Sequence, residues 1–429
     1  MNIICKLNED DNFAIDTDYT EYNLNKSDIF TYTFWNPDSV KKLLNLPSFF
    51  SSTGLDLLYI SLFVFGADRI ALRHLAYDAW TREFTLYIPV LDLEKWNMNK
   101  SLLEKMLSYL SGDRWNIEFR KRELTKAELK IKDKFNSKRK QNELNTKRIC
   151  MFSGGLDSFI GAIDALEEID DILFISHYGG GKGVKEYQDK LKARLCKEYK
   201  VNEEQFFSFH AAARNGIEDT TRTRSFMFFC HAVVIATCFN KNIDLLIPEN
   251  GLISLNIPLT NSRLGSSSTR TTHPFYLEML QTLLRDLGMD INLYNPYQFK
   301  TKGEMILSCK NLKFLEKNIP NTMSCSHPDQ GRMLGETQAR HCGSCFPCVI
   351  RRASIARANI LDSTSYRDIG FSEGETARIN HNSYQIGLRK IDEKYAFLDI
   401  QKSGPIKSDI AKYAELYIRG MEELRKVLV

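Results

Sequence analysis

The sequence has no long hydrophobic run. Its longest uncharged apolar stretch lies between Asp56 and Asp68, far short of the roughly 20 residues that cross a bilayer, so no membrane span is expected. The opening Met1-Asn2-Ile3-Ile4-Cys5-Lys6 has neither a basic segment nor an apolar core of secretory length. No export leader is expected, and the reading is of a soluble, cytoplasmic enzyme. An excess of one charge is also missing. The 58 Lys plus Arg face 54 Asp plus Glu, a formal net charge of +4, which is too balanced for a chain built mainly to coat nucleic acid. Internal repeats and low-complexity tracts are absent. So is a Gly-Lys-Ser/Thr at the spacing of a Walker loop, which excludes that mode of phosphate binding.

What is present suits a multi-domain globular protein: 429 residues, 43% of them hydrophobic. Residues 1–120 mix strand-like runs, such as Phe84 to Val90, with helix-like ones, such as Leu102 to Leu110, and predict an N-terminal α+β domain. Residues 121–147 are rich in Lys and Arg and predict a basic helical linker with a solvated surface, since aromatic groups for base stacking are lacking. From Arg148 the pattern alternates. Strands are expected at Ile149 to Phe152, Ile172 to Ser176, Gln205 to His210 and Ile243 to Pro248. Helices are expected at Ser158 to Glu168, Val184 to Tyr199, Arg224 to Phe239 and Pro274 to Leu287. Such alternation predicts an α/β fold with a parallel sheet and helices on both faces over residues 148–322. Residues 323–364 form a candidate zinc-binding subdomain and 365–429 a C-terminal extension.

Between the strand ending at Phe152 and the helix that follows lies Ser153-Gly154-Gly155-Leu156-Asp157-Ser158. Backbone amides at a helix N-terminus, placed at the carboxyl end of a strand, bind anions. Gly154 and Gly155 allow a sharp turn and close approach of N–H groups to phosphate, and Ser153 and Ser158 add hydroxyls. Asp157 would repel phosphate unless a cation intervenes, so Mg²⁺ is expected with ATP. Farther on, Thr301 and Glu304 form a Thr-x-x-Glu capping box, which puts Lys302 in a helix's first turn. A cation there opposes the helix dipole, so Lys302 is expected to face phosphate instead.

Six of the ten cysteines, Cys5, Cys150, Cys196, Cys230, Cys238 and Cys309, are scattered, several in apolar stretches, as reduced core thiols are. The other four are grouped. Cys342, Cys345 and Cys348 follow one another at two-residue gaps, and Cys325 can supply a fourth ligand, a set that suits a closed tetrahedral structural zinc site. His327 and His341 compete for the fourth position. An iron-sulfur cluster would need the same ligands.

Together, the loop 153–158, the segment Lys300-Thr301-Lys302-Gly303-Glu304-Met305, the four cysteines and Arg351-Arg352 resemble the 7-cyano-7-deazaguanine synthases, members of the pyrophosphate-loop ATP pyrophosphatases, over about residues 148–360. The resemblance implies an adenine nucleotide alpha hydrolase-like sheet. It also implies ATP gripped by Ser153, Gly154, Gly155, Leu156, Asp157 and Ser158, with attack at the α phosphorus. Asp157, Lys302 and Arg224 would act in catalysis, and the cysteines would hold structural zinc. In that family the carboxylate of 7-carboxy-7-deazaguanine is adenylated, converted by ammonia to the amide and activated again to give the nitrile. The departures are the domain ahead of the loop, the long gap from Cys325 to Cys342, and the segments 248–263 and 270–274 in place of a shorter substrate segment. These make Glu249, Asn250, Arg263 and Arg270 candidate substrate contacts. They also resemble the synthase-like subunit of the Qat anti-phage defence operon, which implies partner proteins and a partner amine as acceptor. Two other readings stay open: a tRNA-modifying enzyme sharing the loop, and a non-catalytic scaffold subunit.

Overall fold

The computed structural model describes residues 1–137, 143–179, 182–220, 222–259, 270–331 and 335–428. It divides into two compact units. The first comprises Met1–Ile149, Phe207–Leu245 and Tyr276–Leu293; the second comprises Cys150–Phe206, Leu246–Phe275 and Tyr294–Val429.

Ten strands occur among the described residues: β1 (Asn2–Lys6), β2 (Thr20–Asn23), β3 (Phe30–Tyr32), β4 (Glu83–Val90), β5 (Arg114–Lys121), β6 (Arg148–Met151), β7 (Ile172–Tyr178), β8 (Phe206–Ala213), β9 (Ile243–Leu246) and β10 (Ile291–Tyr294). One sheet has the order β2-β1-β4-β5, all parallel. The other has the order β10-β9-β6-β7-β8-β3, with β3 antiparallel to β8. From β6 to β10 each strand is followed by helix, and the sheet is the parallel, helix-flanked one expected from the alternation of the sequence. Its strand order carries information the sequence does not. The chain runs from β6 outward through β7 to β8, then returns to β9 on the other side of β6. The reversal sits between β6 and β9, and crevices at such switch points, off the carboxyl ends of the strands, are where open α/β sheets bind ligands.

In the first unit the helix Ser52–Ile70 is buried from Thr53 to Asp68. Ser51 caps it by accepting the Gly54 N–H at 3.0 Å, and its lack of a polar face marks it as a core helix. The helix Leu93–Ser111 is capped by Asp92 and ends at Gly112 in the left-handed region, φ +78°. It runs well beyond the Leu102 to Leu110 segment expected from periodicity. The basic segment is not solvated all round. Within it the helix Lys126–Ser137 buries Glu128, Ile131 and Phe135, and the Phe135 ring lies 5.7 Å from that of Phe49. No helix among the described residues is long and apolar enough to cross a membrane.

A charged cluster is enclosed in the same unit. Asp68, Arg73, Arg82 and Asp113 are all buried. Arg73 donates to both Asp113 oxygens at 2.9 Å. Arg82 donates to Asp113 Oδ2 at 2.8 Å and pairs with Asp68, which also accepts the Thr223 hydroxyl at 2.8 Å. Removing one member of such a set strands its partners without water. Asp113→Ala is therefore expected to cost the first unit about 3–5 kcal/mol, read as a lowered urea midpoint; a midpoint within error of the parent's would contradict this account of the cluster.

Candidate functional site

All of the site's central groups belong to the second unit. β6 delivers the chain to Ser153, and the helix Leu156–Leu166 begins two residues earlier than the sequence pattern suggested, with Gly155 as its cap. Gly155 has no side chain to cap it, and the first-turn amides beyond Leu156 are donors of the kind a helix N-terminus leaves over. Gly154 holds φ at +83°, and a Cβ there would lie 2.9 Å from Gln188 Cγ; the turn requires glycine on both counts. Ser153 is exposed. Its Oγ donates to Ser158 Oγ at 3.1 Å and accepts the Gly155 N–H at 3.3 Å.

Two flanking groups were not legible in the sequence. Gln188, buried, donates through Nε2 to the carbonyls of Ser153 and His177, both at 3.0 Å. The Cys325 loop touches the glycines directly: Met323 N–H donates to Gly154 O at 2.8 Å and Leu156 N–H to Ser324 Oγ at 3.4 Å.

Asp157 lies in the first helical turn, buried, and turns to the segments after β9 and β10. Its Oδ1 sits 3.0 Å from Lys302 Nζ, itself only 5% exposed. Its Oδ2 accepts the Asn250 N–H at 3.1 Å and the Asn250 Nδ2–H at 2.6 Å. Asn250, fully buried, meanwhile uses Oδ1 to cap the helix Gly251–Leu255. Gly251 N–H donates to Lys300 O at 2.9 Å, which ties the two segments side by side. Burial acts to raise the Asp157 pKa, but the Lys302 ammonium, the Glu249 carboxyl and the Asn250 donors outweigh it and hold the group below its usual value. Glu249 is pushed the other way, well above its usual value, by loss of water and by the Asp157 carboxylate beside it. The cation that the structure sets beside Asp157, where the sequence led to an expectation of Mg²⁺, is Lys302.

The other candidates stand apart. Arg224 is exposed in the first turn of the helix Arg224–Ala236, in the first unit. Arg270 is partly exposed near His273. Its neighbour Thr272 shares a 3.0 Å hydroxyl hydrogen bond with Ser254, whose hydroxyl donates to Asn250 O. Arg263 lies outside the described residues.

The four cysteine sulfurs lie within 4.8 Å of one another. Cys325 to Cys345 and Cys342 to Cys348 are each 3.9 Å apart, far beyond the roughly 2 Å of a disulfide. Tetrahedral zinc with Zn–S of about 2.3 Å spaces its sulfurs about 3.8 Å apart, so these distances fit a metal ion. The N–H groups of His327 and Cys342 point at Cys325 Sγ, both at 3.3 Å, and that of Cys345 at Cys342 Sγ at 3.2 Å; donors so placed favour thiolate. His327 is exposed. His341 has its Nε2 engaged by the Thr322 carbonyl at 3.0 Å, and its Nδ1 faces Cys348 Sγ at 3.7 Å. The cluster is therefore an all-cysteine set able to hold a metal such as zinc.

With this geometry in view, the comparisons gain weight. Over 110 residues the chain is similar to 7-cyano-7-deazaguanine synthases. Those of Brucella ovis and Brucella canis are each 30% identical to it over that stretch, which is 25% of this chain. The chain spans 42% of the length of these curated relatives. No family model matches it.

Protein purified without chelator is expected to carry about one zinc per chain by mass spectrometry of the metal, and Cys348→Ser to lose it. Metal-free native protein with four freely alkylated thiols would overturn the assignment.

Proposed function

We propose that this chain adenylates a deazapurine carboxylate of the 7-carboxy-7-deazaguanine kind with ATP and passes the acyl group to an amine. The observation that carries the reading is the buried Asp157–Lys302 pair at the first turn of the helix that follows the glycine turn. The similarity to the synthases supports the substrate class.

In this reading the amides of the loop 153–158 and the Ser153 and Ser158 hydroxyls bind the β and γ phosphates, and Lys302 offsets charge on the breaking α–β bridge. Mg²⁺, when bound, would be held by the neighbouring carboxyls of Asp157 and Glu249 and would neutralise phosphate oxygens. The substrate carboxylate oxygen attacks the α phosphorus and pyrophosphate leaves. The amine then attacks the acyl carbon, loses a proton, and AMP departs with the carboxylate oxygen, leaving an amide. Arg270, Arg263, Glu249 and Asn250 are the proposed contacts to the substrate. The acceptor is ammonia or an amine of a partner protein, with anti-phage defence as the setting.

A thiolation chemistry of the tRNA-modifying kind is disfavoured. It needs a reactive thiol away from the metal cluster; of Cys150, Cys196 and Cys230, the first and last are buried with their pKa values raised by loss of water, and Cys196 is partly exposed.

Incubation with ATP, Mg²⁺ and 7-carboxy-7-deazaguanine is expected to release pyrophosphate. Asp157→Asn and Lys302→Met should each cut the rate by roughly 100- to 1,000-fold, the loss typical of one charge-stabilising group. Absence of release by the wild-type chain, with ammonia or co-expressed partner proteins supplied, would remove the proposal.

A further inference from the structure

The segment beyond residue 365 lies outside the stretch that resembles the synthases, yet it reaches the catalytic turn. Thr301 and Glu304 cap the Lys302–Leu307 helix reciprocally: Glu304 N–H donates to Thr301 Oγ1 at 3.1 Å and Thr301 N–H to Glu304 Oε2 at 2.9 Å. Each of these two side chains is also held by the helix Ile410–Leu428. The Thr301 hydroxyl donates to Glu423 Oε1. Glu304 Oε1 accepts Arg419 Nε–H at 2.7 Å, and Arg419 also donates to Phe299 O at 2.9 Å. Glu423 further accepts the Gly303 N–H at 3.3 Å.

Glu423 is buried, and a buried carboxylate persists only where donors and a countercharge surround it. The countercharge is Arg357, its Nε 3.1 Å from Glu423 Oε1. Gly303 has no side chain because none fits: a Cβ there would lie 2.6 Å from Glu423 Oε1. The same helix packs Leu416 and Met421 into a core with Leu252 and Leu255, from the short helix that Asn250 caps. Both segments that meet Asp157 thus rest on one helix.

We propose that the helix Ile410–Leu428 is a positioning element of the site, in which Glu423 and Arg419 hold the Thr301–Glu304 turn so that the Lys302 ammonium stays against Asp157. The proposal rests on the reading of Lys302 as a group that meets phosphate. It places Glu423 and Arg419 behind the reacting atoms, acting through Lys302. Arg357 ends the helix Phe346–Arg357, which begins at Cys345, so the cysteine cluster and the lysine turn are joined through Glu423.

The test uses the full chain. Glu423→Gln and Arg419→Met are expected to speed hydrogen exchange at the Gly303 and Glu304 amides about tenfold or more. They should also lower kcat for pyrophosphate release roughly 10- to 100-fold, as small misplacements of a catalytic group do, while KM for the carboxylate changes less than about twofold. Glu422→Gln, on the exposed side of the helix, should change neither. Should Glu423→Gln fail to fold, Arg419→Met carries the test, since that side chain is 37% exposed. Parental exchange and kcat in folded variants would overturn the proposal. If the wild-type chain releases no pyrophosphate, the functional reading fails instead, and exchange at Gly303 still decides whether the helix holds the turn.

Discussion

The ion pair between Asp157 and Lys302 governs the arrangement of the second unit. Charges taken out of water cost several kcal/mol each unless they are paired and hydrogen-bonded, and here both partners are buried. Asp157 comes from the turn after β6 and Lys302 from the turn after β10. Asn250, after β9, supplies two further donors to the same carboxylate. Three segments far apart in the chain thereby converge at the carboxyl ends of adjacent strands, beside a glycine turn whose helix offers the amides of Asp157 and Ser158 without a side-chain cap. An anion arriving at those amides would meet a lysine already desolvated, where its charge acts through a low dielectric.

Around that pair the structure invests in rigidity. The Cys325 loop lays Met323 and Ser324 on the glycine turn, so a metal held by the four thiols would fix the back of the phosphate loop without touching its ligand. Gln188 fixes the same turn from the β7 side. The helix Ile410–Leu428 does the equivalent for the lysine turn. Catalytic groups are useful only when held to within a fraction of an ångström, and second-layer hydrogen bonds are how proteins achieve that.

Much of the site was legible because its signals are local. The strand, glycine turn and helix at 150–166 are consecutive, and the Thr301–Glu304 capping box spans four residues; the dipole argument turned Lys302 toward phosphate, whereas the group the structure sets against it is Asp157. The spacing of Cys342, Cys345 and Cys348 likewise announced the cluster, and Cys325, 17 residues away, was reached by counting ligands. What escaped was long-range. Gln188 is one polar residue on an amphipathic helix, and nothing in its neighbourhood shows that its amide faces Ser153. Nothing local marks out Glu423 and Arg419, because their partners Thr301 and Glu304 lie more than a hundred residues earlier. Strand order is invisible to periodicity, so the switch point between β6 and β9 emerged only from the fold. In the basic stretch at 121–147 the helix Lys126–Ser137 turns Ile131 and Phe135 inward, so the surface expected to be solvated carries one apolar face.

The central claim is that a triphosphate binds the amides after Phe152 with Lys302 at its bridging oxygens. Calorimetric titration with ATP in Mg²⁺ buffer, without the carboxylate substrate, tests it most directly. The account predicts saturable binding at about one site per chain, weakened roughly tenfold or more by Lys302→Met through loss of a charge-assisted contact. No heat of binding to the wild-type chain, or equal affinity in the variant, would contradict it.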